Sequence, residues 1–211
     1  MQMGRLLTGV LAFCHWVTHF ALLNLMWAGC TLLGGVIFGI GPSTVAMYSV
    51  TREVVTGDEE VKLFSHFWKT FRQEFFRANG LAVILIFLGL LCYFDLQFFR
   101  QFEGEVYHLL SYVMVLASLS FIIMLVYLLP VYVHFRLTIF QSIKQALFIG
   151  FLRPANLVIS VVTALTTYYF FIYFPGFIPL FGFTLFAHLN MWLSMKCFTE
   201  IEEMKMEQKA A

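Results

Sequence analysis

The chain has 211 residues, of which 61% are hydrophobic and only 12% charged, with a formal net charge of +1. Soluble domains carry roughly 25% charged residues, so this polar surface cannot cover a water-facing globule. A charge so nearly balanced also excludes the basic footprint of a nucleic-acid binder. The class that remains is an all-α membrane protein, because helices satisfy their own backbone hydrogen bonds where lipid cannot.

Lysine, arginine, aspartate and glutamate fall into a few clusters and leave four charge-free stretches, 6–51, 80–94, 106–135 and 154–195. A helix needs about 20 apolar residues to cross the hydrocarbon layer, so the first stretch is too long for one crossing. Its glycines, from Gly34-Gly35 to Gly39-Ile40-Gly41-Pro42, mark a break. The expectation is one span near 18–40, a helix break at Gly39, Gly41 and Pro42, and a short interfacial helix near 43–55. Pro42 suits the first turn of that helix. The rival reading makes 43–55 a second, thin crossing with Arg5 inside. The segment from Gly39 to Thr44 lacks the Gly-Lys pair of a phosphate loop.

Within this first stretch, His15 and His19 stand four apart and share a helix face, but a metal site needs a third ligand and no nearby carboxylate supplies one. No metal and no cofactor is expected. Asn24 lies near Trp27, and Asn190 near Trp192 in the last span. Buried amides in a bilayer serve interhelical hydrogen bonds. The second reading gathers Asn24, Trp27, Asn190 and Trp192 around one sugar-binding cavity, since amides and aromatic faces suit sugars.

An amphipathic helix follows near 61–78. Phe64, Phe67, Trp68, Phe71 and Phe75 recur at helical spacing, and Lys62, His66, Lys69, Arg72 and Gln73 fall largely opposite. Such a helix suits the headgroup layer. Lys62, Phe64, Phe67, Trp68, Lys69, Phe71, Arg72, Phe75 and Arg77 are the candidate surface for docking a partner or lipid. A span near 80–99 comes next, then one near 107–133 that contains Pro130. A further interfacial helix near 138–152 precedes spans near 155–173 and 176–197, which meet at Phe174-Pro175-Gly176.

The order of span, proline, interfacial helix and span occurs twice, a weak parallel repeat aligned at Arg77 and Arg153. Basic residues cluster in 41–79 (Arg52, Lys62, Lys69, Arg72, Arg77), in 135–154 (Arg136, Lys144, Arg153) and in the tail (Lys196, Lys205, Lys209). Positive charge marks those regions as cytoplasmic. The expectation is a single polytopic domain over 1–211 with five spans, the N-terminus outside and the C-terminus inside. Cys14, Cys30, Cys92 and Cys197 are far apart and read as small buried apolar residues. No Ser/His/Asp set and no pair of intramembrane carboxylates appears, so no enzymatic activity is expected.

The segments Asn24-Leu25-Met26-Trp27, Gly39-Ile40-Gly41-Pro42-Ser43-Thr44-Val45-Ala46-Met47-Tyr48 and Phe64…Phe67…Phe71-Arg72-Gln73-Glu74-Phe75 are similar to the YesL-like family of bacterial membrane proteins. The likeness covers most of the chain and is strongest over 20–80. Glu74 departs from it, since an amide is expected there. The resemblance implies a bacterial cell membrane location and a part in sugar or oligosaccharide uptake beside ABC-type importers of Gram-positive bacteria. The implied partners are a permease, an ATPase or a sugar-binding protein, and the implied role is an accessory subunit. A self-sufficient sugar-binding or translocating protein is the alternative.

Overall fold

The computed structural model describes residues 2–57, 62–102, 104–135 and 137–210, and among these the regular elements are helices. The acidic run 58–60 and Arg136 lie outside the described residues. The helices are α1 (Gln2–Leu33), α2 (Ile37–Val55), α3 (Leu63–Phe99), α4 (Glu105–Phe135), α5 (Ile139–Leu152), α6 (Pro154–Tyr173) and α7 (Ile178–Ala210). A 3-10 turn over Pro175–Phe177 joins the last two. Five of them are long and apolar enough to cross a membrane, in α1, α3, α4, α6 and α7.

The first break falls earlier than expected. α1 ends at Leu33, and Gly39, Gly41 and Pro42 lie inside α2 instead of breaking a helix. The turn is made by Gly34, Gly35 and Val36. Gly35 has φ 75° and Val36 has φ 60°. The amide of Ile37 donates to the Gly35 carbonyl at 2.8 Å across Val36, a γ-turn of the rare positive-φ kind. A β-branched residue is strained there. Val36→Gly should stabilise the chain by about 1 kcal/mol, the strain relieved less the entropy glycine adds to the unfolded state. Thermal melting in detergent tests this, and a melting temperature below wild type would overturn it.

Close approach explains the glycines that follow. A Cβ on Gly34 would stand 2.5 Å from the Gly39 Cα, and one on Gly39 would collide with the Thr31 carbonyl. α2 therefore folds back tightly against α1. It does not lie in the interface as the reading of 43–55 supposed. It packs against α1, α3, α4 and α7, with Val45, Ala46, Met47, Tyr48, Val50 and Thr51 almost fully buried. Small and medium side chains on nearly every face fit a helix surrounded by other helices.

α1 also runs antiparallel to α7, with Trp16 and Phe20 on His188 and Asn24 at Ile178 and Pro179. The beginning of α1 and the end of α7 thus point to the same end of the bundle.

The expected interfacial helix at 61–78 and span at 80–99 form one continuous helix, α3, of 37 residues. Its counterpart in the repeat is cut in two. At the aligned junction α3 has Ala78, which is buried, where the second unit has Pro154. Pro154 opens α6, and Arg153 leaves helical geometry at φ −126°, ψ 67°, as the residue before a proline tends to do. α5 begins with a capping box of Thr138 and Gln141.

Candidate functional site

Two prolines and one kink interrupt backbone ladders inside the bundle. Each proline lacks, and the kink turns aside, the N–H that would pair with a carbonyl one turn earlier. In α2, Pro42 leaves the Phe38 carbonyl without its helical donor, and Asn79 Nδ2 on α3 donates to it at 3.0 Å. In α4, Pro130 does the same to Val126, and Asn190 Nδ2 on α7 donates to that carbonyl at 3.2 Å. In α7 the helix kinks at Gly182, and Asn24 Nδ2 on α1 donates to the carbonyls of Ile178 (3.2 Å) and Pro179 (2.8 Å). Three of the chain's four asparagines thus complete another helix's backbone.

This accounts for two of the residues expected to line a sugar cavity. Asn24 is 7% exposed and Asn190 is 3% exposed. Asn190 also donates to the Tyr48 hydroxyl at 3.1 Å, and Thr184 donates to Asn24 Oδ1 at 3.4 Å. Trp27 donates through Nε1 to Thr44 at 3.1 Å and packs on Phe183. Trp192 faces outward, 44% exposed, with the Lys196 ammonium 3.6 Å above its ring. Asn190 lies 11 residues beyond Pro179 on α7, about 16 Å at 1.5 Å per residue, so the four residues do not share one cavity. Among the described residues, no group of three or more histidines, cysteines or carboxylates is placed to hold a metal ion.

A polar pocket of about 290 Å³ does form elsewhere, between α2, the first half of α3 and the end of α4. Its α3 wall carries His66, Lys69, Thr70, Gln73, Glu74 and Arg77, and the facing walls carry Val45, Ser49, Tyr132, Val133 and Leu137. The α3 residues recur at three- and four-residue spacing, which puts them on neighbouring faces of one helix. Phe67, 0% exposed, and Phe71, 6% exposed, anchor the same helix in the core. The aromatic stripe therefore does not lie in a headgroup layer as a whole. Phe67 and Phe71 point inward, Trp68 and Phe75 are half-buried, and Phe64 and Phe76 are exposed. Of the candidate docking set, Lys62, Phe64, Lys69, Arg72 and Arg77 remain on the outside.

Hydrogen bonds tie the pocket's walls together. Ser49 Oγ on α2 and His66 Nε2 on α3 are 2.8 Å apart. The Tyr132 hydroxyl on α4 donates to Glu74 Oε2 at 2.6 Å. Arg77 Nη1 stands 3.8 Å from Glu74 Oε1, with its side chain 62% exposed. Glu74 is therefore held by a phenol and a guanidinium at once, and the described pocket lining carries two fixed cations against one carboxylate. An ion pair of Arg153 with Glu200 at 3.0 Å closes the same end of the bundle, where His134 Nε2 also lies 4.0 Å from a Glu202 carboxylate oxygen. Sequence spacing placed Lys69 on the face opposite the aromatic stripe and Arg77 in the docking set. It carried no sign of the partners from α2 and α4, since Ser49 and Tyr132 lie far away in the chain.

Residues 20–96 match DUF624, a protein family of unknown function. Three proteins of Bacillus subtilis strain 168 are similar along nearly their whole length. YesV is 34% identical over 191 residues, 90% of this chain and 92% of YesV. YesL is 31% identical over 203 residues, 96% of each chain. YteU is 30% identical over 204 residues, 96% of this chain and 89% of YteU. No solved structure matches the chain.

Proposed function

Because this chain belongs to the YesL-like family and has five helices long and apolar enough to cross a membrane, we propose that it is an integral accessory subunit of carbohydrate uptake. It works with an ABC-type importer through the polar end of its bundle. The observation that carries this reading is where the polar groups go. The bundle interior is filled by α2, and the buried amides complete backbones. The charged and hydrogen-bonding side chains of Lys69, Glu74, Arg77 and Tyr132 instead meet in a pocket at one end. That end carries Arg52, Lys69, Arg77 and Arg153, so it faces the cytoplasm by the positive-inside rule. An importer's ATPase works on that side. The sugar comes into the reading from the likeness to YesL-like proteins.

Deleting the chain in its host and following uptake of labelled oligosaccharides tests the proposal. The expected result is lost or slowed uptake of at least one oligosaccharide, with importer subunits retained when the tagged chain is purified in mild detergent. Unchanged uptake of every oligosaccharide tried would sink it. Uptake into proteoliposomes containing the purified chain alone would replace it with a self-sufficient transporter.

A further inference from the structure

The pocket between α2, α3 and α4 has a ligand chemistry of its own. We propose that it binds a phosphoryl group, carried by an anionic phospholipid headgroup or by a soluble phosphate ester, with Lys69 and Arg77 closing on it from either side of Gln73. The three residues stand at four-residue intervals on α3, all exposed at the pocket's rim. Lys69 and Arg77 are about 12 Å apart along the axis, one a turn before Gln73 and the other a turn after it. Arg77 is not consumed by its ion pair. At 3.8 Å from Glu74 Oε1 and 62% exposed, it keeps an open guanidinium edge, and that planar fork matches phosphate oxygens.

Glu74 assists instead of repelling. One of its oxygens accepts from Tyr132 at 2.6 Å and the other faces Arg77, so the carboxylate holds the guanidinium at the pocket wall. Thr70 and Gln73 add neutral donors, and Val45 and Val133 line the inner side for the carbon skeleton behind the phosphate. A volume of about 290 Å³ sits at the lower end of the ~300–1,000 Å³ usual for small-molecule sites.

The proposal rests on the reading of this end as the working end, but its test needs no importer. The purified full-length chain is titrated with a hexose monophosphate and with the same hexose unphosphorylated. In parallel it is reconstituted in nanodiscs of mixed phosphatidylglycerol and phosphatidylcholine, and retained lipid is read by native mass spectrometry. Binding of the ester but not the hexose, or selective retention of phosphatidylglycerol, is the expected result, and the arm that responds identifies the source. Lys69→Gln with Arg77→Gln should weaken that binding at least tenfold. Gln73→Glu, which places a negative charge between the two cations, should weaken it too. Lys144→Gln, an exposed cation on α5 outside this pocket, should leave it within twofold. Binding of neither probe, or an equal loss in Lys144→Gln, would overturn the proposal. Binding in a chain whose deletion leaves uptake intact would remove the carbohydrate role and leave this site standing. Lost uptake without binding would do the reverse.

Discussion

Asn190→Ala should lower stability by about 1–3 kcal/mol, and Pro130→Ala in the same chain should give most of it back. The amide of Asn190 reaches the Val126 carbonyl at 3.2 Å, the carbonyl that Pro130 deprives of its helical partner. Truncating it leaves a buried acceptor without its donor, and such a group costs about 1–3 kcal/mol. The Tyr48 hydroxyl loses a donor as well. Interhelical hydrogen bonds in membranes average only about 0.6 kcal/mol in double-mutant cycles, because the unfolded chain finds other partners. A backbone carbonyl locked inside a helix has fewer such alternatives, which places this case at the upper end. Alanine at 130 restores the N–H, so the two substitutions should couple strongly. Thermal melting of the four chains in detergent gives the cycle, at about 2–4 °C per kcal/mol for a chain of this size. Additive effects would show that Asn190 does something other than repair α4.

Gly39→Ala should cost about 3 kcal/mol or more, enough to empty the membrane of folded chain. The added methyl would meet the backbone of Thr31 on α1, not the tip of a flexible side chain. Overpacking usually costs about 1–3 kcal/mol where side chains can shift, and backbone cannot shift without opening the α1–α2 turn. Gly29→Ala is the matched control, since a Cβ there meets nothing within 4 Å, and alanine favours a helix over glycine by about 1 kcal/mol. Yield of monodisperse protein by size-exclusion chromatography separates the two. A normal yield for Gly39→Ala would mean that α1 and α2 are farther apart than described.

Both predictions concern features that the sequence displays only in part. Charge-free stretches pointed to five helices long and apolar enough to cross a membrane, because lipid tolerates charge poorly whatever the tertiary packing. They could not assign α2. Its buried face of Val45, Ala46, Met47, Tyr48 and Val50 is apolar for contact with protein, while Arg52 and Glu53 in its last turn mimic an interfacial helix. Of the residues that marked the break, Gly34 and Gly35 make the turn, whereas Gly39, Gly41 and Pro42 lie inside α2. A glycine that breaks a helix and a glycine that lets two helices touch look alike until the partner is known. Proline reads similarly: Pro154 separates two helices, whereas Pro42 and Pro130 are carried within one because Asn79 and Asn190 complete the ladder. The pocket was half legible. Lys69 stood on the basic face and Arg77 in the docking set, but Ser49 and Tyr132 reach the pocket from other helices, and helical periodicity carries no information about such pairings.

The unbroken length of α3 has a mechanical meaning. Its first turns form a wall of the polar pocket, and the same rigid rod continues about 30 Å past Ala78, at 1.5 Å per residue, to the turn near Arg100. α4 lies beside it on the return. A tilt of about 5° around Ala78 would move the far tip by about 3 Å over that distance. The second unit of the repeat cannot transmit such a movement, because Pro154 uncouples α5 from α6. The molecule therefore holds one unbroken rod and one proline-jointed pair in the two units of its repeat, and a rigid path from the pocket wall to the far turn exists only in the first.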